Sequence, residues 1–165
     1  MNKASVIKKN IAYLGPEIPA ISATFIYNEI IGLEEKGINV YIYSVHYPEV
    51  MAEEPDAVRI FKRTHYLYKI PKYKFPFYVV LQFLNNYKNF VKTAGQLLHD
   101  IRSLKLLSSD SVKLIFQFFA GSLLAYELRK KDVQHLHVHF AHVPTQIGMY
   151  AAGLSGIPFT FTAHA

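Results

Sequence analysis

Between His135 and Thr162 the residue pattern changes period twice, and nothing else in the chain restricts its fold as tightly. From His135 to Phe140, Leu136, Val138 and Phe140 alternate with His135, His137 and His139, the period of two of a strand. Pro144 suits the first turn of a helix, where its missing N–H is no loss. Ile147, Tyr150, Ala151 and Leu154 follow at helical spacing. Gly156 fits the helix exit, Pro158 prevents its continuation, and Phe159 to Thr162 is a second β-prone run. A histidine closes each strand, His139 the first and His164 the second. Open α/β sheets hold their ligands at such strand ends.

The start of the chain repeats this logic. Ile11 to Leu14 is a short apolar strand, and Gly15-Pro16 with Pro19 reads as an irregular loop. Ser22 or Thr24 can cap a helix whose face is Phe25, Ile26, Ile30 and Leu33, ending at Gly37. Ile38 to Val45 is the next strand, and His65 to Tyr68 a shorter third. Helices are expected at 75–89, 92–107 and 111–130. Strands separated by helices imply an α/β fold with a Rossmann-like, doubly wound parallel sheet. With 165 residues, 51% of them hydrophobic, the chain is expected to form one domain, 1–165, with a real core.

Composition narrows the chemistry. There is no cysteine, so disulfides and thiolate sites are excluded. Met1 to Asn10 lacks the uninterrupted apolar core of a signal peptide, which points to a cytoplasmic protein. No Asp or Glu occurs from Ala57 to His99, where eight Lys and Arg are interleaved with Phe and Tyr. Such a surface can lie on an anionic membrane. A helix over 75–87 spans only about 20 Å, less than the bilayer core of about 30 Å. It can rest on a membrane but not cross one. A core-packing helix beside solvated lysines explains the same composition. Nucleic acid is not expected as a partner, because no RNA-binding signature accompanies the basic residues.

His135, His137 and His139 on one strand face invite a metal-site reading. A rise of about 3.3 Å per residue places the outer two roughly 13 Å apart, so one metal cannot take all three. A His-x-His pair can chelate, but the only nearby carboxylate in the segment is Asp132. No metal is therefore expected, and His135 and His137 read as hydrogen-bonded strand residues.

His-x-His-Phe-Ala at 137–141, a helix, and Gly156-Ile-Pro-Phe-Thr-Phe-Thr-Ala-His164 resemble the N-terminal half of GT-B glycosyltransferases of family 4, in the exopolysaccharide and lipopolysaccharide subgroup. A second resemblance lies in Pro19-Ala-Ile-Ser-Ala-Thr-Phe-Ile26 and the helix that follows it to Gly37. The two cover roughly the first 45 and last 30 residues, in the right order.

The resemblance implies the acceptor-side domain of a retaining, metal-independent enzyme that transfers sugar from a nucleotide-sugar donor to a glycan or lipid-linked acceptor. It implies no cofactor beyond that donor. His139 aligns with the histidine that approaches the donor sugar, where it can stabilise developing charge. His164 aligns with a second cleft-facing histidine. Ser22 and Thr24 fall in the acceptor loop, where the subgroup's glutamate is replaced by Ala23. His142, in the turn, can contact acceptor or donor phosphate or stand as a surface residue. The donor-binding domain, with its paired glutamates, has no counterpart in these 165 residues, and the N-terminal domain reads as incomplete at its C-terminus. Three readings follow: the N-terminal domain of a glycosyltransferase, inactive alone; a stand-alone binding subunit that meets a separate donor-binding chain; and a His-based metal-binding protein.

Overall fold

The computed structural model describes residues 9–20, 24–49, 54–104 and 108–163. Among the described residues, five strands form one all-parallel sheet: β1 (Asn10–Glu17), β2 (Asn39–His46), β3 (His65–Tyr66), β4 (His135–His139) and β5 (Phe159–Thr162). Their order is β3-β2-β1-β4-β5, so the chain reverses direction across the sheet between β1 and β4. The helices are α1 (Thr24–Glu35), α2 (Pro55–Arg63), α3 (Phe75–Asn85), α4 (Tyr87–Ser103), α5 (Ser109–Lys130) and α6 (Val143–Ser155). Helices cover both faces, which is the expected Rossmann-like doubly wound arrangement.

Each face carries its own core. On one side Ile26, Tyr27 and Ile30 of α1 and Ala57 and Ile60 of α2 pack with Tyr13, Val40 and Ile42 of the sheet. On the other, Leu136 and Val138 meet Leu123, Leu124, Ile147 and Tyr150 of α5 and α6. Alternation along the strands therefore assigns the two cores. Helix α5 is long and apolar enough to cross a membrane, yet 56% of its most apolar window is buried in the fold, as befits a core helix.

Several boundaries depart from the pattern. Strand β1 runs through Gly15-Pro16 to Glu17, with Gly15 opposite Ser44 and Glu17 opposite His46. Pairing with β4 has already ended at Leu14, so the N–H that Pro16 lacks removes no ladder bond on that side. The expected third strand keeps only two residues and becomes a 3-10 turn at Leu67–Lys69. The first of the middle helices stops at Asn85, because Asn86 takes an extended φ of −152° and caps α4 by accepting from the Asn89 amide. Helix α2 was not anticipated, although Pro55 and Asp56 at its start and Lys62 and Arg63 at its end suit a helix dipole. The termini of α6 agree with the reading: Pro144 opens it, and Gly156 closes it at φ +79°.

Candidate functional site

The carboxyl edge of the sheet is where β1 and β4 diverge, and His139 stands there at the last position of β4. Its side chain is only 2% exposed, so it does not face an open cleft as the sequence suggested. Phe25, the second residue of α1, lies over it with ring centroids 5.8 Å apart, and Tyr13 of β1 flanks it at 5.4 Å. Glu29 of α1 brings Oε2 to 3.4 Å from His139 Nε2. The Tyr13 hydroxyl donates to the other Glu29 oxygen at 2.5 Å. Burial above all, then Glu29, pushes the Tyr13 phenol well above its ordinary range, so it stays protonated and keeps donating.

Sequence reasoning missed Tyr13, Phe25 and Glu29 as companions of His139. The signal was faint but present. Phe25 and Glu29 are four apart on one helix, hence neighbours on the same face, beside the buried Ile26 and Ile30.

The other histidines on this face behave as hydrogen-bonded strand residues. His135 Nε2 and His137 Nδ1 both meet the Thr160 hydroxyl at 2.8 Å, and His137 Nε2 lies 3.2 Å from the Thr162 hydroxyl. His135 is partly exposed and its partner Thr160 is exposed, so its hydrogen bond does not serve a buried polar group. His137 also packs against the His139 ring at 4.8 Å. Glu29, His137 and His139 offer ligand atoms within 4.8 Å of one another. The spacing argument excludes all three histidines at once, but not this pair with a carboxylate from α1.

The strand is turned sharply just beyond His139. Phe140 takes φ +73°, a left-handed conformation unusual for a bulky residue. Its amide donates to the Thr162 carbonyl at 2.9 Å, and its carbonyl accepts from the Thr145 hydroxyl at 2.7 Å. His142 follows in the turn, exposed, immediately before α6. Thr24 is exposed at the first position of α1, adjacent in sequence to the Phe25 that covers His139. Ser22 and His164 lie outside the described residues.

Along the same edge a cleft of about 660 Å³ opens over the ends of β1 and β2. Glu17, Glu49, His46, Tyr47, Tyr68 and Lys69 line it. The Glu49 amide donates to Glu17 Oε1 at 3.2 Å, and Lys69 Nζ sits 4.5 Å above the Tyr47 ring. Carboxylates, a lysine and aromatic faces together match what a polyhydroxylated ligand presents, hydroxyl groups and apolar C–H faces. A second groove, about 480 Å³ between α4 and α6, includes Gly153 and Gly156 at the other end of α6 and touches none of the strand ends.

No family model matches the chain, and neither a curated protein nor a solved structure does.

Proposed function

We propose that the chain is the acceptor-side domain of a retaining glycosyltransferase of the GT-B type, passing a sugar from a nucleotide-sugar donor to a glycan or lipid-linked acceptor. The observation that carries this reading is His139, fixed by Glu29 and Tyr13 at the point where the parallel sheet reverses direction. The left-handed Phe140 supports it, since strained backbone beside a polar strand end is a common mark of a working site. The cleft over β1 and β2 receives the acceptor's hydroxyls; Phe25, itself 38% exposed, has to swing aside for the donor sugar to reach His139, which then stabilises charge as the glycosidic bond breaks.

Donor binding belongs to a second domain in this reading. The 165-residue chain alone should therefore not turn over UDP- or GDP-sugars, and should bind them weakly or not at all. Titrating labelled chain with lipopolysaccharide-core and exopolysaccharide oligosaccharides should instead shift amide resonances at Glu17, His46, Tyr47 and Tyr68. Sugar transfer by the isolated chain, or shifts confined to the α4–α6 groove, would overturn the proposal.

A second reading, a metal site, is favoured by the Glu29–His137–His139 cluster. Tetrahedral ligands bound at 2.0–2.1 Å lie about 3.4 Å from one another, so the cluster would have to contract and His137 to release a threonine. The glycosyltransferase reading expects no zinc binding at micromolar metal in a calorimetric titration. Stoichiometric uptake abolished by Glu29→Gln would replace it with the metal reading.

A further inference from the structure

Helix α3 faces the wrong way for a helix in water. It has no charged residue, and its two fully buried side chains are Phe75 and the polar Gln82. Meanwhile Phe77, Val80 and Leu84, spaced i, i+3 and i+7 on one face, are 61%, 55% and 69% exposed. Phe83 is exposed beside them.

This orientation is locked rather than incidental. Gln82 Nε2 donates to the Ser122 carbonyl at 2.8 Å, and Arg129 donates to the other end of the amide. Arg129 in turn donates to the Leu154 carbonyl at 3.0 Å, tying α3 to α5 and α6. Rolling the phenylalanines inward would leave those buried polar groups unpaired, which is more costly than exposing apolar surface.

The ends of the helix identify what covers the exposed face. Tyr73 and Tyr87 bracket it at 78% and 60% exposure. Lys72 and Lys74 precede it, and Lys88 and Lys92 follow it, all exposed, with no carboxylate between Ala57 and His99. Lys74 occupies the N-cap position without a capping bond. A cation there opposes the helix dipole, so Lys74 does not serve the helix itself. Apolar side chains in the middle, tyrosines at the ends and lysines around them match the layers of an anionic bilayer surface, acyl chains beneath polar and negatively charged headgroups.

We infer that α3 with its flanking lysines is a docking face for an anionic membrane, on which the helix lies flat. The helix is about 16 Å long, too short to cross a hydrocarbon core of about 30 Å. The inference stands apart from sugar transfer, since vesicle binding and glycan binding are read separately.

Flotation of the purified chain with phosphatidylcholine vesicles, with and without phosphatidylglycerol, tests it. Binding should require the anionic lipid and fall away at about 1 M salt, where screening shortens to ~3 Å. Lys72→Ala, Lys74→Ala and Lys88→Ala together should weaken it roughly a hundredfold, at about fivefold per lysine. Phe77→Asp with Leu84→Asp should abolish it while leaving the circular dichroism and melting temperature unchanged, because both sites are exposed. Equal binding to neutral vesicles at every salt concentration, or undiminished binding by both variants, would overturn the inference. Self-association removed by Phe77→Asp with Leu84→Asp, without vesicle binding, would overturn it too and assign the face to a second copy of the chain.

Discussion

His139→Ala, in a chain joined to a donor-binding domain, is expected to lower sugar transfer on the order of tenfold to a thousandfold, the range for one lost transition-state contact. The loss should fall on kcat with the acceptor KM little changed, since the cleft proposed to take the acceptor is lined by other residues. Some stability will go as well, because the ring is buried against Phe25, Tyr13 and Glu29. Two companions separate the effects. Glu29→Gln keeps a polar partner for the imidazole but removes its charge, so it should reduce kcat with a smaller change in melting temperature. His135→Ala removes one hydrogen bond between exposed groups and should leave both nearly unaltered. Full turnover by His139→Ala would remove the imidazole from the mechanism.

The largest structural effect is expected at Gly121, in the middle of α5. A Cβ there would meet the Tyr150 Cβ at 2.8 Å and the Ile147 carbonyl oxygen at 3.1 Å, both on α6. Neither can move without shifting the helix. Helix propensity alone would favour alanine over glycine by about 1 kcal/mol, but the clash should reverse the sign. Gly121→Ala should destabilise by about 1–3 kcal/mol, and Gly121→Leu should fail to fold. Gly32→Ala and Gly95→Ala provide the control, because nothing lies within 4 Å of a Cβ at either position. Each should stabilise by up to about 1 kcal/mol. Urea midpoints for the set would measure these differences, and a Gly121→Ala protein as stable as wild type would show that α5 and α6 do not meet as described.

What could be read beforehand follows the range of the interactions. The unit β4–α6–β5 is punctuated locally by alternation, Pro144 and Gly156, and its elements fall where those residues put them. Parallel pairing of β1 with β2 was legible for the same reason, with Gly37 at φ +80° ending the intervening helix. The continuation of β1 through Pro16 was not, because it depends on where a strand from the far end of the chain stops pairing. Glu29 beside His139 was hidden similarly: α1 and β4 come together only through the sheet between them. The histidines at the strand ends were legible, while the carboxylate, the phenol and the aromatic cover around His139 came from packing. The inward Gln82 and outward Phe77 are the sharpest case, since residue type alone assigns each to the opposite side.

The central position of β1 also governs the order in which this molecule can be made. Its neighbours on one side are already present when α1 and β2 have left the ribosome, but those on the other side are not. Asn10 bonds to the Lys131 carbonyl, 121 residues further on, as well as receiving a bond from Asn39. At roughly 5–20 residues per second of synthesis, the first βαβ unit waits on the order of ten seconds for the strand that completes it. During that interval one edge of β1 exposes unpaired amides and carbonyls, the template on which chains cross-associate. A nascent chain of this topology therefore depends on whatever shelters that edge until β4 emerges.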